Sequence, residues 1–291
     1  MTITGSTQLI GLIGWPVAHS RSPAMHNAAA AALGLDWVYV PLPVRPQNLK
    51  TAVSALSALG FRGVNVTVPH KQAVLPLLAD LDDGAQALKA VNTILVAENG
   101  RLIGHNTDWS GFQADLESQQ IAVNNRDCLV LGAGGSARAV VYALARLGGR
   151  VQVLARRPQQ AADLVADLQP YLSDAWVQGR PLASLPPISA QTQAPLIVNT
   201  TPLGMAPDSD QSIWPDELPF PSGSFVYDLV YNPAHTRLMV QVQKQTQAAG
   251  CRASNGLGML LHQGAQAFAL WTGQRPDLTV MAAALDGDGI S

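Results

Sequence analysis

The stretch that most constrains the fold of this chain runs from Cys128 to Arg157. It opens with a short apolar run, Cys128–Leu131, which predicts a buried parallel strand. A glycine-rich turn follows, then apolar residues at helical spacing, then a second apolar run at 151–154. A strand–turn–helix–strand unit of about 30 residues is typical of dinucleotide-binding α/β domains. The sequence therefore predicts such a domain here.

The turn fits the pattern G-x-G-x-x-G/A, with Ala137 in the last place. The first glycine allows a tight turn, the second lets the backbone approach a pyrophosphate, and alanine lets helix and strand pack closely. A glycine pattern alone is weak evidence, but here the flanking strands and helix agree with it. We expect the phosphates to lie at the helix N-terminus, against Gly132, Ala133, Gly134, Gly135 and Ser136.

The end of the second strand indicates which dinucleotide is bound. NAD sites place an acid there to bond the ribose 2′-hydroxyl, whereas a 2′-phosphate requires a cation. This chain has Arg156 and Arg157 after Ala155, and no acid. Two guanidinium groups suit a phosphate, although two solvated arginines at a strand end are the alternative. The sequence therefore predicts NADP(H) as the cofactor.

The composition excludes several classes of protein. The chain has 291 residues, enough for two domains, and a net charge of −2 that gives no attraction to nucleic acid or an acidic membrane. Its two cysteines, Cys128 and Cys251, are not arranged as a disulfide framework, and its six histidines show no metal-ligand spacing. We found no signal-peptide pattern and no apolar run near ~18 residues, so we expect a cytoplasmic protein without metal.

A separate α/β layer is predicted before the dinucleotide unit. Its predicted strands are 8–14, 37–42 and 63–68, and its predicted helices are 22–33, 46–59 and about 70–78. Ser22 is predicted to cap the first of these helices, and Leu59 to lie on the apolar face of the second. Asn99-Gly100 predicts a hairpin turn between strands at 91–96 and 101–104.

The rest of the pattern is typical of a doubly wound domain with one long loop. We predict helices at 108–118, 158–168, about 235–249 and up to about Trp271, and strands at 196–200 and 225–229. The residues between the second of these helices and Pro195 are weakly patterned. The segment 205–224 is rich in Pro, Ser and Asp, which predicts a surface loop.

Polar residues cluster at four places in the first layer. Ser20 and Ser22 lie at a predicted helix start, where hydroxyls and free N–H groups suit a carboxylate, although a simple cap is the alternative. Lys71 follows a strand and begins a predicted helix, where the macrodipole would favour a lowered lysine pKa. A nearby ionised Asp108 would oppose that shift, and a solvated surface lysine is the alternative to a catalytic one. Asn92 and Asp108 flank the hairpin and could border one cleft, although Asp108 is also a plausible helix cap.

These clusters, in order and over essentially the whole chain, resemble the motifs of the shikimate dehydrogenase family. The matching segments are Gly14–Pro23, Asn65–Lys71, Val91–Thr93, Asn106–Asp108, Gly132–Gly135, Asn199–Met205, Asp228–Pro233 and Gly256–Gly264. The resemblance implies reversible reduction of 3-dehydroshikimate to shikimate with NADPH, in aromatic amino acid biosynthesis.

The resemblance also implies a role for individual residues. Lys71 matches the catalytic lysine and Asp108 its carboxylate partner. Groups that hold the substrate are matched by Ser20, Ser22, Thr67, Lys71, Asn92, Asp108, Tyr231 and Gln263. Arg156 matches the arginine on the 2′-phosphate, and Asp83, Leu229 and Gly256 match residues that border the cofactor. Where the family often has Asn-Arg-Thr, this chain has Ala155-Arg156-Arg157, so Arg157 adds a second cation.

We therefore expect a two-domain α/β enzyme. Residues 1–108 with about 251–291 would form the substrate-binding domain, and about 109–250 a Rossmann-type NADP-binding domain. The last helix would return to the first domain and deliver Gln263. The alternatives are a quinate/shikimate dehydrogenase of the same fold and a non-catalytic NADP-binding regulator. We expect a small-molecule substrate and a monomer or homodimer, with no nucleic-acid or membrane partner.

Overall fold

The computed structural model of the protein describes residues 2–245 and 249–286, in two compact units. The first unit comprises Met1–Gly111 and Leu261–Ser291, and the second comprises Phe112–Leu260. Each unit combines a six-stranded sheet with helices, so the predicted α/β class is confirmed.

The first unit is built on a mixed sheet. Its strands are β1 (Gln8–Gly14), β2 (Trp37–Pro43), β3 (Phe61–Val66), β4 (Asp80–Leu81), β5 (Thr93–Val96) and β6 (Leu102–His105). They lie in the order β2-β1-β3-β5-β6-β4. β1 pairs in parallel with β2 and β3, whereas β5 is antiparallel to β3 and β6. The predicted β5–β6 hairpin is therefore confirmed.

The helices α1 (Ser22–Ala32), α2 (Leu49–Ala55) and α3 (Asp83–Leu88) accompany these strands along the chain. The next helix, α4 (Asp108–Ser118), begins in the first unit and continues into the second. The core between sheet and helices is aliphatic, with Ile13, Val53, Val64 and Ile94 fully buried. Burying such side chains is the main favourable contribution to folding of this unit.

Two of the helix predictions for this unit were wrong. The helix predicted at 46–59 is a short 3-10 turn and α2, which ends at Ala55, and Leu59 is 62% exposed beyond it. The helix predicted at about 70–78 consists of hydrogen-bonded turns and a 3-10 turn at Leu75–Leu77. Pro76 supplies no N–H, so it cannot contribute a helical hydrogen bond here.

The second unit is built on a wholly parallel sheet. Its strands are β7 (Asp127–Leu131), β8 (Arg150–Ala155), β9 (Val177–Pro181), β10 (Leu196–Asn199), β11 (Phe225–Asp228) and β12 (Arg252–Asn255). Their order is β12-β11-β10-β7-β8-β9, which is the doubly wound arrangement. The strand order reverses between β7 and β10, and ligands of such folds bind at that point, beyond the carboxyl ends of the strands.

Helices of the second unit follow the strands as a doubly wound fold requires: α5 (Gly135–Arg146), α6 (Pro158–Leu168), α7 (Leu185–Gln191) and α8 (Arg237–Gln243). The weakly patterned stretch before Pro195 contains β9 and α7, which the sequence did not predict, and β12 was also missed. The helix predicted at about 235–249 begins after the cap Thr236, and its residues 246–248 lie outside the described residues.

The chain ends with α9 (Leu257–Thr272) and α10 (Leu278–Asp286), the second of which the sequence did not predict. The segment 205–224 forms no helix or strand, as predicted, but it is anchored by Trp214 and Phe220, which stack at 4.5 Å and are buried. None of the helices in the described part of the chain has the length and apolar composition needed to cross a bilayer.

Candidate active site and dinucleotide site

An ion pair between Lys71 and Asp108 lies at the centre of the polar cluster in the first unit. Lys71 Nζ donates to Asp108 Oδ2 at 2.7 Å, and the two side chains are 31% and 15% exposed. Lys71 lies in the turn after β3, and its carbonyl accepts the N–H of Val91 at 2.8 Å. Asp108 begins α4. The pair thus joins two segments 37 residues apart, and it is open to a ligand at the lysine.

Lys71 lies in a turn, so the helix predicted to begin at this lysine was wrong and no helix macrodipole acts on it. Its charged neighbour is instead Asp108, whose carboxylate stabilises the ammonium. Asp108 is itself held by its backbone N–H, which donates to Asn106 Oδ1 at 3.0 Å.

Asn92 connects the ion pair to the rest of the cluster. Its Nδ2 lies 2.9 Å from Asp108 Oδ1, 2.9 Å from Thr107 Oγ1 and 3.2 Å from Gln263 Oε1. Its Oδ1 accepts the Thr107 backbone N–H at 2.7 Å. Asn92 and Gln263 are almost fully buried. The structure therefore brings together four of the predicted site residues: Lys71, Asp108, Asn92 and Gln263.

A glycine allows Gln263 to reach this position. A Cβ at Gly111 would lie 2.6 Å from the Cβ of Gln263 and 2.7 Å from its backbone nitrogen, closer than side-chain carbons approach in proteins. Only glycine therefore lets the start of α4 pack so closely on α9. This contact was not identified from the sequence.

The predicted serine and threonine ligands follow the neighbouring strands β1 and β3. Ser22 is the first residue of α1 and is buried, while Arg21 is at the N-cap position, so the predicted cap was wrong by one residue. Ser20 Oγ accepts the Ser22 N–H at 3.2 Å. Thr67 N–H donates to the carbonyl of Ile13 at 2.9 Å, which holds the two loops side by side. Hydroxyls from both loops therefore lie at one end of the sheet.

Two further predicted residues belong to other elements of the fold. Asp83 is in the first turn of α3, after the cap Asp82, whose Oδ1 accepts the Ala85 N–H at 2.6 Å. Tyr231 belongs to the second unit, three residues after β11. The roles of both residues stay predictions.

The glycine-rich turn of the second unit connects β7 to α5 at the point where the strand order reverses. Gly132 has φ +113°, and a Cβ there would lie 2.6 Å from Thr200 Oγ1. A Cβ at Gly134 or Gly135 would meet open space, and Gly134 to Ser136 are exposed. The N-cap residue of α5 is Gly134, which has no side chain to bond the first N–H groups of the helix. These groups are therefore available to bind an anion.

The two arginines follow β8 at the same end of the sheet. Arg156 and Arg157 are exposed, and within residues 2–245 and 249–286 neither pairs with a carboxylate. Both border a cavity of about 160 Å³ that Gly132, Ala133 and Leu203 also line. Two unpaired cations beside a cavity that reaches the glycine turn fit a dinucleotide with an additional phosphate.

Leu229 and Gly256 meet beyond β11 and β12. A Cβ at Gly256 would collide with the carbonyl oxygen of Leu229, so the close approach of these segments requires glycine. Nearby, Asp228 is fully buried and accepts hydrogen bonds from Asn199 Nδ2 at 2.9 Å, Thr236 Oγ1 at 2.6 Å and the Val230 N–H at 3.1 Å. Burial raises the pKa of Asp228, while these donors oppose the shift.

Comparison with known proteins identifies the family. The chain is 44% identical over 287 residues to the shikimate dehydrogenase (NADP(+)) of Citrifermentans bemidjiense, a match that covers 98% of this chain and 97% of that protein. The chain belongs to the shikimate dehydrogenase family. Family models for the shikimate dehydrogenase substrate binding domain and the shikimate 5'-dehydrogenase C-terminal domain match residues 12–94 and 256–285.

Solved structures of the family share the fold. Shikimate 5-dehydrogenase from Thermus thermophilus, in complex with NADP(H) and shikimate, is similar with a TM-score of 0.84 and 38% identity, covering 97% of this chain and 99% of that one. Quinate dehydrogenase from Corynebacterium glutamicum, in complex with NAD, has a TM-score of 0.88 and 34% identity over 97% and 99%. The likeness thus extends over both units of this family member.

Proposed function

We propose that this protein is an NADP-dependent shikimate dehydrogenase, which reversibly reduces the ketone of 3-dehydroshikimate to the hydroxyl of shikimate. The observation that carries the proposal is the Lys71–Asp108 ion pair joined to Asn92 and Gln263. The likeness to relatives named shikimate dehydrogenase (NADP(+)) supports it. The reaction belongs to aromatic amino acid biosynthesis.

The ion pair provides the acid–base chemistry. When bound, NADPH supplies a hydride to the ketone carbon. Lys71 stabilises the negative charge that develops on the ketone oxygen and donates a proton to it. Asp108 holds the ammonium in place through its 2.7 Å hydrogen bond, and its own position is fixed by Asn92. In shikimate oxidation the step runs in reverse, and Lys71 as the neutral amine accepts the proton of the hydroxyl.

Neutral donors and acceptors recognise the substrate. Ser20 and Ser22, at the start of α1, hold the ring carboxylate, and the N-terminus of the helix favours this negative charge. Thr67, Asn92 and Gln263 bind ring hydroxyls, and Tyr231 is a further substrate-binding residue by its match to the family motif. A substrate lacking one of these hydroxyls leaves buried polar groups unpaired, and so it binds poorly.

Groups of the second unit bind the cofactor. The N–H groups at the start of α5 hold the pyrophosphate, and Arg156 and Arg157 bind the 2′-phosphate. Leu229, Gly256 and Asp83 border the cofactor by their match to the family motifs. The lack of an acid at the end of β8 favours NADP over NAD.

We also propose a domain organisation and a cellular compartment for the protein. We assign substrate binding to the first unit, Met1–Gly111 with Leu261–Ser291, and NADP binding to the second, Phe112–Leu260. The boundary predicted near residue 251 is moved to Leu260, because β12 pairs with β11 in the second sheet. Cys128 and Cys251 are both buried free thiols, which suits a reducing compartment. We place the enzyme in the cytoplasm, as a monomer or homodimer without nucleic-acid or membrane partners.

Steady-state kinetics with four substrate pairs tests this proposal. Shikimate and quinate are each oxidised with NADP and with NAD, and reduced cofactor is followed by its absorbance. We expect kcat/KM to be at least about tenfold higher for shikimate with NADP than for any other pair. A preference for quinate with NAD would assign the protein to the quinate-oxidising alternative, and binding of NADP without turnover of either acid would indicate a regulator.

A further inference from the structure

A buried row of polar side chains lies behind the candidate acid–base pair. It consists of Tyr39 on β2, Asn65 on β3, and Thr93 on β5, and it ends at Asn92. Asn65 and Thr93 are directly opposed in the antiparallel β3–β5 ladder. All four residues are at most 5% exposed. The first three members of the row are therefore too deeply buried to serve as a binding surface.

The orientation of the Asn65 amide is fixed by its neighbours. Its Nδ2 lies 3.2 Å from the carbonyl oxygen of Asn92, which can only accept a hydrogen bond, so the nitrogen must be on this side. Its Oδ1 therefore faces Tyr39, whose hydroxyl donates to it at 2.9 Å. Burial raises the pKa of Tyr39, so the phenol keeps the proton that this bond requires.

The orientation of the Asn92 amide is fixed in the same way. Its Oδ1 accepts the backbone N–H of Thr107, which can only donate, and its Nδ2 therefore faces the carboxylate of Asp108. Thr93 Oγ1 accepts from Asn65 Nδ2 at 3.0 Å, so its own proton is available for Asn92 Oδ1 at 3.2 Å. Every bond in the row thus donates towards Asp108.

We propose that Thr93 is a positioning residue of the dehydrogenase. Its hydroxyl accepts a hydrogen bond from Asn65 and donates one to Asn92, and it thereby holds the Asn92 amide against Asp108. When successive hydrogen bonds all donate in the same direction, each bond polarises the next one. The last bond, to the carboxylate, is therefore strengthened. The inference rests on the proposed function, because its consequence is a rate. Thr93 itself does not contact the substrate.

Two substitutions at Thr93 separate this role from packing. Thr93→Val keeps the volume and branching of the side chain but loses the hydroxyl. Thr93→Ser keeps the hydroxyl but loses a buried methyl group. We expect Thr93→Val to lower kcat/KM for shikimate about tenfold, since a small misplacement of a catalytic group is costly, and Thr93→Ser to stay within about threefold of the unsubstituted protein.

The NADP dissociation constant and urea unfolding are measured for both variants, and a cooperative urea transition with an unchanged slope establishes that each variant is folded. Thr272→Val is the matched control, because Thr272 donates to the Phe268 carbonyl near the end of α9, remote in sequence from the row. It should lower stability without changing kcat/KM. Thr93→Cys, with a weak S–H donor, should give a rate between those of the serine and valine variants.

The inference is supported if kcat/KM depends on the presence of a hydroxyl at position 93 and does not follow the free energy of unfolding of the variants. Equal rates for the valine and serine variants, or a rate loss that follows the free energy of unfolding, would overturn it. If the unsubstituted protein does not oxidise shikimate with NADP, the proposed function fails instead. The two failures are therefore distinguishable in one set of assays.

Discussion

Removal of Lys71 should have a large effect on turnover, and its size can be worked out from the site. One donor that stabilises a developing oxyanion is worth about 10²–10³ in kcat, and a general acid about 10²–10⁴. A single ammonium serves both purposes, so the two factors do not multiply. Lys71 is 31% exposed, which lets water replace part of its proton transfer. We expect Lys71→Ala to lower kcat about 10²–10³-fold, or roughly 3–4 kcal/mol.

The effect on substrate affinity should be much smaller. The hydroxyl and amide groups predicted to hold the ring remain in the variant, so KM for shikimate should change by less than about threefold. Initial rates of shikimate oxidation with saturating NADP give both quantities. Lys50→Ala is the matched control, because Lys50 is an exposed lysine on α2, and it should leave both quantities unchanged.

A double-mutant cycle tests whether Lys71 and Asp108 act as one unit. Asp108→Asn removes the charge that holds the ammonium, and alone it should cost about 10²-fold in kcat. Groups that act together are not additive, so the double variant should be about as slow as Lys71→Ala alone. Losses that multiply in the double variant would show independent roles. An unchanged kcat in Lys71→Ala would remove the lysine from the mechanism.

Three further perturbations test other parts of the structure. Arg156→Ala should raise the NADP dissociation constant at least about tenfold, since it removes a charge-assisted bond to phosphate, and should leave NAD binding within about twofold in calorimetry. Gly111→Ala should push Gln263 away and raise KM for shikimate about tenfold in steady-state assays. Burial lowers the pKa of His26 to about 3, so the folded protein should lose about 1.4 kcal/mol per pH unit as pH falls from about 6.5 towards 3. His26→Phe, which keeps the stack on Tyr39, should flatten this acid slope in urea unfolding.

Each of these variants has a matched control. Arg150→Ala removes an exposed arginine from the opposite end of β8, Gly5→Ala adds a methyl group to open space, and His235→Phe replaces an exposed histidine. Equal weakening of NADP and NAD by Arg156→Ala would contradict the phosphate assignment. An unchanged KM in Gly111→Ala would contradict the close contact between Gly111 and Gln263. If His26→Phe keeps the loss of unfolding free energy at acid pH, that loss arises from a group other than His26.

The glycine turn could be predicted from the sequence because its determinants are local. Gly132, Gly134 and Ala137 follow one another within six residues, between an apolar strand and an apolar helix. The turn, the strand after it and the exposed arginines all lie where the pattern placed them. Short-range signals of this kind do not depend on long-range packing.

Elements at the edges of the second sheet could not be predicted in this way. β9 and β12 are edge strands with the sequences VQGRP and RASN, which carry neither an apolar run nor alternation. The opposite error occurred after β3, where Val74, Leu75 and Leu78 have helical spacing. Val74 lies in a turn, Leu75 begins a 3-10 turn and Leu78 is extended. Tertiary contacts decide both cases, because Val74 is completely buried despite the lack of a helix.

The polar row behind the active site depends on strand register, which the sequence does not encode locally. Asn65 and Thr93 meet only because β3 and β5 pair antiparallel with these residues opposed. The resemblance to a family suggested that Lys71 and Asp108 belong together, but it gave no partner for the buried amides. These contacts depend on the folded structure and could not be predicted from the sequence.

The buried carboxylate of Asp228 connects two segments of the chain that resemble family motifs. Neither segment belongs to the catalytic cluster around Lys71 and Asp108. Asn199 from one segment and Thr236 beyond the other share this single acceptor. A change of Asn199 to an acid would place two carboxylates together, and loss of the hydroxyl at Thr236 would leave a charge with one donor fewer. Natural variation at these positions should therefore be epistatic, with substitutions tolerated jointly when each alone is harmful. Deep mutational scanning of paired positions would reveal such joint tolerance.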